Sequence, residues 1–207
     1  MISIKNKFLF IHVPKTGGNS IQNVLYKYSD DKITYKGTEI AQPDSTNLER
    51  FGVIYKDTLL NKHSTLNEYY QVFGKQLEQL YKFSTIRNPW DMCISYYFSP
   101  HRGRVEWDKN HFIQFIKNNV FPMRHFLSLT DEDDFALNVD HIMKFENLSQ
   151  QFHEITKLLN IEQTDLPHKN KSKKEHYSYY YDKELIDFIQ EKFLEDIALG
   201  DYEFKKF

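Results

Sequence analysis

The chain has 207 residues, a formal net charge of −2 and a single cysteine, Cys93. That length buries a core within one domain, 1–207, and no shift in composition marks a second. Near-neutrality excludes a general attraction to nucleic acid or anionic membranes, so any anion binding must be local. One cysteine excludes an internal disulfide, and Cys93 reads as a small core residue. The apolar run Phe8 to Val13 is far shorter than the roughly 20 residues of a membrane span, and it ends in Pro-Lys. With no membrane segment visible, the chain is expected to be cytoplasmic, unless a targeting segment has been removed.

Residues 8–13, FLFIHV, form the first predicted strand, with His12 packed on the same face as Phe8 and Phe10. The turn PKTGG follows. A helix near 18–28 then carries Ile21, Val24, Leu25 and Tyr28 at helical spacing. A buried strand that runs through glycines into a helix N-terminus turns backbone N–H groups and the helix dipole into an anion site. Here the N–H groups are those of Thr16, Gly17, Gly18, Asn19 and Ser20. The usual nucleotide loop, G-x-x-x-x-G-K-[ST], places its lysine after the last glycine, whereas Lys15 precedes Gly17 and Gly18. An ordinary connection whose glycines merely allow positive φ is the alternative.

Residues 51–55 suggest a second strand, and Thr65 with Glu68 forms a capping box that starts a helix. His63 stands just before it. Residues 82–86 form a strand that feeds a helix over 89–97, with Asn88 as cap, Pro89 in the first position and Asp91 in the first turn. Arg87 leaves the strand at its carboxyl end, and Ser95 shares a helical face with Asp91, so an arginine and a hydroxyl are placed to grip one anion. The plainer alternative pairs Arg87 with Asp91 and leaves Ser95 facing water. His101, Arg102 and Arg104 then form a basic loop.

A helix fits 110–118, and the acidic run Asp131 to Asp134 reads as an exposed turn. A strand over 139–144 precedes a helix over 148–159, where Glu146 suits the favourable first-turn field. The final helix, from Asp182 as cap to Gly200 as stop, carries Leu185, Phe188, Ile189, Phe193 and Ile197. Segments 29–50, 99–109 and 160–181 read as loops. Alternating strands and helices predict an α/β fold with a central parallel sheet flanked by helices, which binds ligands beyond the carboxyl ends of its strands.

Two anion sites at two such strand ends could be spanned by one phosphorylated nucleotide. IHVPKTGGNSIQ resembles the 5′-phosphosulfate loop, and STIRNPWDMCISYY the 3′-phosphate motif, of sulfotransferases that use 3′-phosphoadenosine 5′-phosphosulfate (PAPS). The carbohydrate-type branch is the closer match. VDHIMKFENLSQQF resembles that family's strand, Glu-Asn-Leu turn and helix, and LPHKNKS its late loop over the nucleotide, which brings in Lys171 and Ser172. DIALGDYEF resembles its closing helix end. The resemblance implies a P-loop-like three-layer fold, PAPS as co-substrate, and a hydroxyl acceptor on a glycan or small molecule.

Sulfuryl transfer needs an anchored donor, neutralised leaving-group charge and removal of the acceptor proton. Lys15 suits the second task as a point charge on a flexible stem. His63 is the chosen base, on its resemblance to the family's histidine and on the chemistry of imidazole near neutral pH. No metal is required, and no HExxH or His/Cys spacing suggests one. A nucleotide kinase or a non-catalytic nucleotide-binding module would share the anion loop and stands as the alternative reading.

Overall fold

The computed structural model describes residues 1–30, 54–55, 58–60, 62–162, 165–166 and 175–206. Its centre is a four-stranded sheet built from β1 (Ile2–Ser3), β2 (Phe8–Ile11), β5 (Tyr81–Ile86) and β6 (His141–Lys144), in the order β1-β2-β5-β6. β2, β5 and β6 are mutually parallel, with Ile11 opposite Ser84 and Ile86 opposite Lys144. The short edge strand β1 runs antiparallel to β2, so the sheet is mixed although mostly parallel. β3 (Ile54–Tyr55) and β4 (Thr58–Leu59) form a separate antiparallel ribbon, so the described part, 54–55, of the strand expected over 51–55 pairs outside the main sheet. Residues 51–53 lie outside the described residues.

Period-two alternation in β2 divides the core. Phe8 and Phe10 pack with Ile21, Val24 and Leu25 of α1 (Gly18–Leu25) on one face, together with Phe152 and Ile155 of α6 (Leu148–Leu158). Leu9 and Ile11 pack on the other, against Leu66 and Tyr69 of α2 (Leu66–Phe73) and Met123, Phe126 and Leu127 of α5 (Met123–Leu127). A third cluster joins α3 (Pro89–Tyr97) to α4 (Lys109–Asn119) and α7 (Lys183–Lys192) through Trp90, Tyr97, Phe112, Leu185 and Ile189.

Local chemistry starts α2, α3 and α7 as expected. Thr65 and Glu68 make the reciprocal capping box of α2, and Asn88 Oδ1 accepts from the N–H groups of Trp90 and Asp91 at the start of α3. Asp108 and Asp182 cap α4 and α7. The long final helix is two: α7 ends at Lys192, and α8 (Leu194–Gly200) begins after Phe193. Short 3-10 turns at Pro100–Arg102 and Tyr177–Tyr180 interrupt segments expected to be loops.

Candidate active site

Three parallel strands deliver three connections to one edge of the sheet, and side chains stitch them together. From the β2 connection, the Thr16 hydroxyl donates to Val13 O at 2.6 Å and contacts the Thr85 hydroxyl of β5. Arg87, just after β5, donates from Nη1 to Lys15 O at 3.0 Å and lies over the Phe145 ring at 4.1 Å, beyond β6. Glu146 Oε1 accepts from Asn88 N at 3.0 Å, and its Oε2 accepts from the Tyr202 hydroxyl at 2.9 Å, so this carboxylate is structural.

The glycines of the turn do separate jobs. Gly17 adopts φ 91°, and a Cβ there would come within 2.6 Å of Leu148 Cδ2 and 2.9 Å of Phe145 Cδ2. Gly18 needs no positive φ; a Cβ there would sit 2.2 Å from His12 Cδ2 and 2.4 Å from its Nε2. Lys15 itself has φ 65°, in the left-handed region that is uncommon for a residue with a Cβ. Gly17 offers no side-chain cap to α1, so the positive end of that helix is open to an external anion.

Beside the turn lies a cleft of about 370 Å³ lined by His12, Lys15, Asn19, Lys62, His63 and Arg102, with Tyr96, Ser99, Phe115 and Asn119 among its other walls. Among the described residues no carboxylate lines it. Lys15 Nζ donates to Ser99 Oγ at 2.9 Å, and Lys62 Nζ to Asn19 Oδ1 at 3.2 Å. Burial, with the Lys15 charge second, lowers Lys62 to about 8. Burial also pushes the Tyr96 phenol up, so it remains an O–H donor. A larger concavity of about 730 Å³, between α2, α5 and the α7–α8 junction, holds none of the predicted site residues.

His63 lies 3.0 Å through Nδ1 from His12 O. A carbonyl only accepts, so Nδ1 carries the hydrogen and Nε2 presents the lone pair. Burial pulls the imidazole down to about 4; the hydrogen bond to His12 opposes the shift, and the charges of Lys62 and Lys15 reinforce it. At neutral pH the ring is in its base form.

Lys15, Asn19 and His63 thus meet in one cleft, while Thr16, Gly17, Gly18 and Ser20 form the turn and helix start beside it. Neither Arg87 nor Ser95 lines that cleft. Arg87 makes the plainer pairing, with Nε and Nη2 both directed to Asp91 Oδ2, but its Nη1 contact with Lys15 O ties it to the glycine turn. Ser95 is half-buried. Lys171 and Ser172 lie outside the described residues. Sequence reasoning missed Lys62 and Ser99. The position of Lys62 beside His63 was a usable signal; Ser99, 84 residues from Lys15, had none.

A model of the sulfotransferase family matches residues 1–203, and the chain belongs to that family. Its fold is that of solved sulfotransferases. The mouse sulfotransferase SULT7A1, complexed with PAP, superposes with a TM-score of 0.55 at 16% identity, covering 97% of this chain and 87% of that one. The sulfotransferase from Alicyclobacillus acidocaldarius gives 0.52 at 13% identity, covering 96% of each. No curated protein matches the sequence. Family membership sets the kinase alternative aside.

Proposed function

We propose that this protein transfers a sulfuryl group from PAPS to an acceptor hydroxyl, with His63 as base and Lys15 stabilising the leaving group. The observation that carries the reading is the junction of a glycine turn that offers no side-chain cap with a cationic cleft, lined by Lys15, Lys62 and Arg102, that holds an imidazole in its base form. These residues suit the donor. The amides of Thr16 to Ser20 would hold the 5′-phosphosulfate, and Arg87 with Ser95 the 3′-phosphate, which asks Arg87 to share or exchange Asp91. Lys171 and Ser172 would cover the nucleotide.

PAPS supplies an activated sulfur. His63 Nε2 takes the proton of the acceptor hydroxyl as its oxygen bonds in line to that sulfur, and Lys15 meets the negative charge left on the departing phosphate oxygen. None of these steps calls on a metal. A carbohydrate acceptor follows from the resemblance of the two motifs to the carbohydrate-type branch. Tyr96, Phe115, Asn19 and Asn119 add ring faces and amides of the kind that bind sugars.

Incubating the protein with PAPS and a panel of glycans and small alcohols, while following PAP release, tests the proposal. Acceptor-dependent release that falls about 10²- to 10⁴-fold in His63→Ala supports it. PAPS bound but never turned over would mark a non-catalytic binding module instead.

A further inference from the structure

His12 is 3% exposed, yet its ring reaches the wall of the cleft. An apolar side chain would fill that space without the cost of burying a polar ring. The imidazole is instead held on every side. Its Nδ1 donates to Gln22 Oε1 at 3.1 Å, and Gln22, on α1, is itself 3% exposed. One ring face stacks on Phe10, with centroids 5.8 Å apart. Its Cδ2–Nε2 edge rests where Gly18 leaves room. His63 lies against it at 4.5 Å between centroids, tilted by 54°.

A general base is ordinarily oriented by a third group, often a carboxylate. Among the described residues no carboxylate lines this cleft, and the carbonyl that receives His63 Nδ1–H belongs to His12. We propose that His12 is the positioning residue for His63: locked by Gln22 and seated against Gly18, its ring and carbonyl together fix the orientation of the base and tie it to the donor loop. This inference rests on the reading of His63 as the base.

The test is a double-mutant cycle. His12→Phe keeps a ring in place and removes the tie to Gln22. It is expected to lower kcat about 10- to 100-fold, the effect of a misplaced catalytic group, while PAP affinity stays within about threefold. In a His63→Ala background the same substitution should change kcat less than about twofold, because the group it positions is gone. An equal loss in both backgrounds, or no loss with His63 present, overturns the proposal.

Should His12→Phe fail to fold, Gln22→Leu takes its place in the cycle with the same expectations. Should the wild type not turn PAPS over, the sulfuryl-transfer reading fails by itself, and nitrogen NMR of His63 decides the positioning claim. A wild-type Nδ1–H tautomer that becomes a mixture in Gln22→Leu supports it. An unchanged tautomer overturns it.

Discussion

His63 shows how a site residue carries its environment into stability. Its pKa in the fold, about 4, lies below the 6.5 of a free imidazole, so between those values the unfolded chain binds the extra proton. Its contribution to stability is therefore intact above about pH 6.5 and is lost as pH falls toward 4. His12, also lowered by burial, acts in the same sense. Asp196, buried on α8 with its carboxyl group accepting from Met123 N at the start of α5, is pushed up to about 7 by burial and acts in the opposite sense: its protonated form suits the fold, so its contribution declines as pH rises from about 4 to 7. Denaturant midpoints of the wild type and His63→Phe, measured from pH 7.5 to 4.5, should differ in slope, with the wild type losing more on acidification. Parallel curves would mean that His63 titrates as it does in water. Lys15→Met should lower kcat by at least about 10²-fold, since it removes the charge proposed to meet the leaving group, with a smaller loss of PAP affinity read by calorimetry. An unaltered kcat would take Lys15 out of the chemistry.

The start of α1 is the element on which the site is built, and its second glycine is there for space. Gly18→Ala would press a methyl group onto His12, and overpacking of this kind costs about 1–3 kcal/mol. A lowered thermal midpoint with a disproportionate fall in kcat is expected, because the methyl group would push on the His12 ring, which lies against His63. A stability loss with kcat unchanged would separate the turn from the base. The sequence pointed to glycine at 17 and 18 through backbone freedom, which applies to Gly17 alone. Signals contained within a few residues were legible: the Thr65–Glu68 box, the Asn88-Pro89 start and the Asp182 cap all formed as read. Signals that depend on neighbours were not. Periodicity ran unbroken from Leu185 to Ile197 although the helix stops at Phe193, and α5, at five residues, is too short to show a period. The edge strand β1, two residues long, was equally invisible.

In the whole molecule, parallel strands bring residues far apart in sequence to one edge: Lys15 to Ser99, His12 to His63, Arg87 to Lys15. The chain carries net negative charge, yet the cleft gathers Lys15, Lys62 and Arg102, with no acid among its described walls. Composition alone could say only that anion attraction must be local; the fold says where. Lys15 and His63 were nameable because they sit in motifs, whereas the role of Arg102 at the cleft wall depends on a helix–helix approach that sets its guanidinium 3.8 Å over Phe115.

On the proposed function, one bisphosphorylated adenosine is held at both strand ends. Titrating PAP, and separately adenosine 5′-phosphate, into the wild type and Arg87→Ala by calorimetry tests it most directly. The wild type should bind PAP at one site and at least about tenfold more tightly than the analogue without the 3′-phosphate, a difference of about 1.4 kcal/mol, and Arg87→Ala should erase that preference. Equal affinity for the two nucleotides, or no heat with PAP, would contradict it.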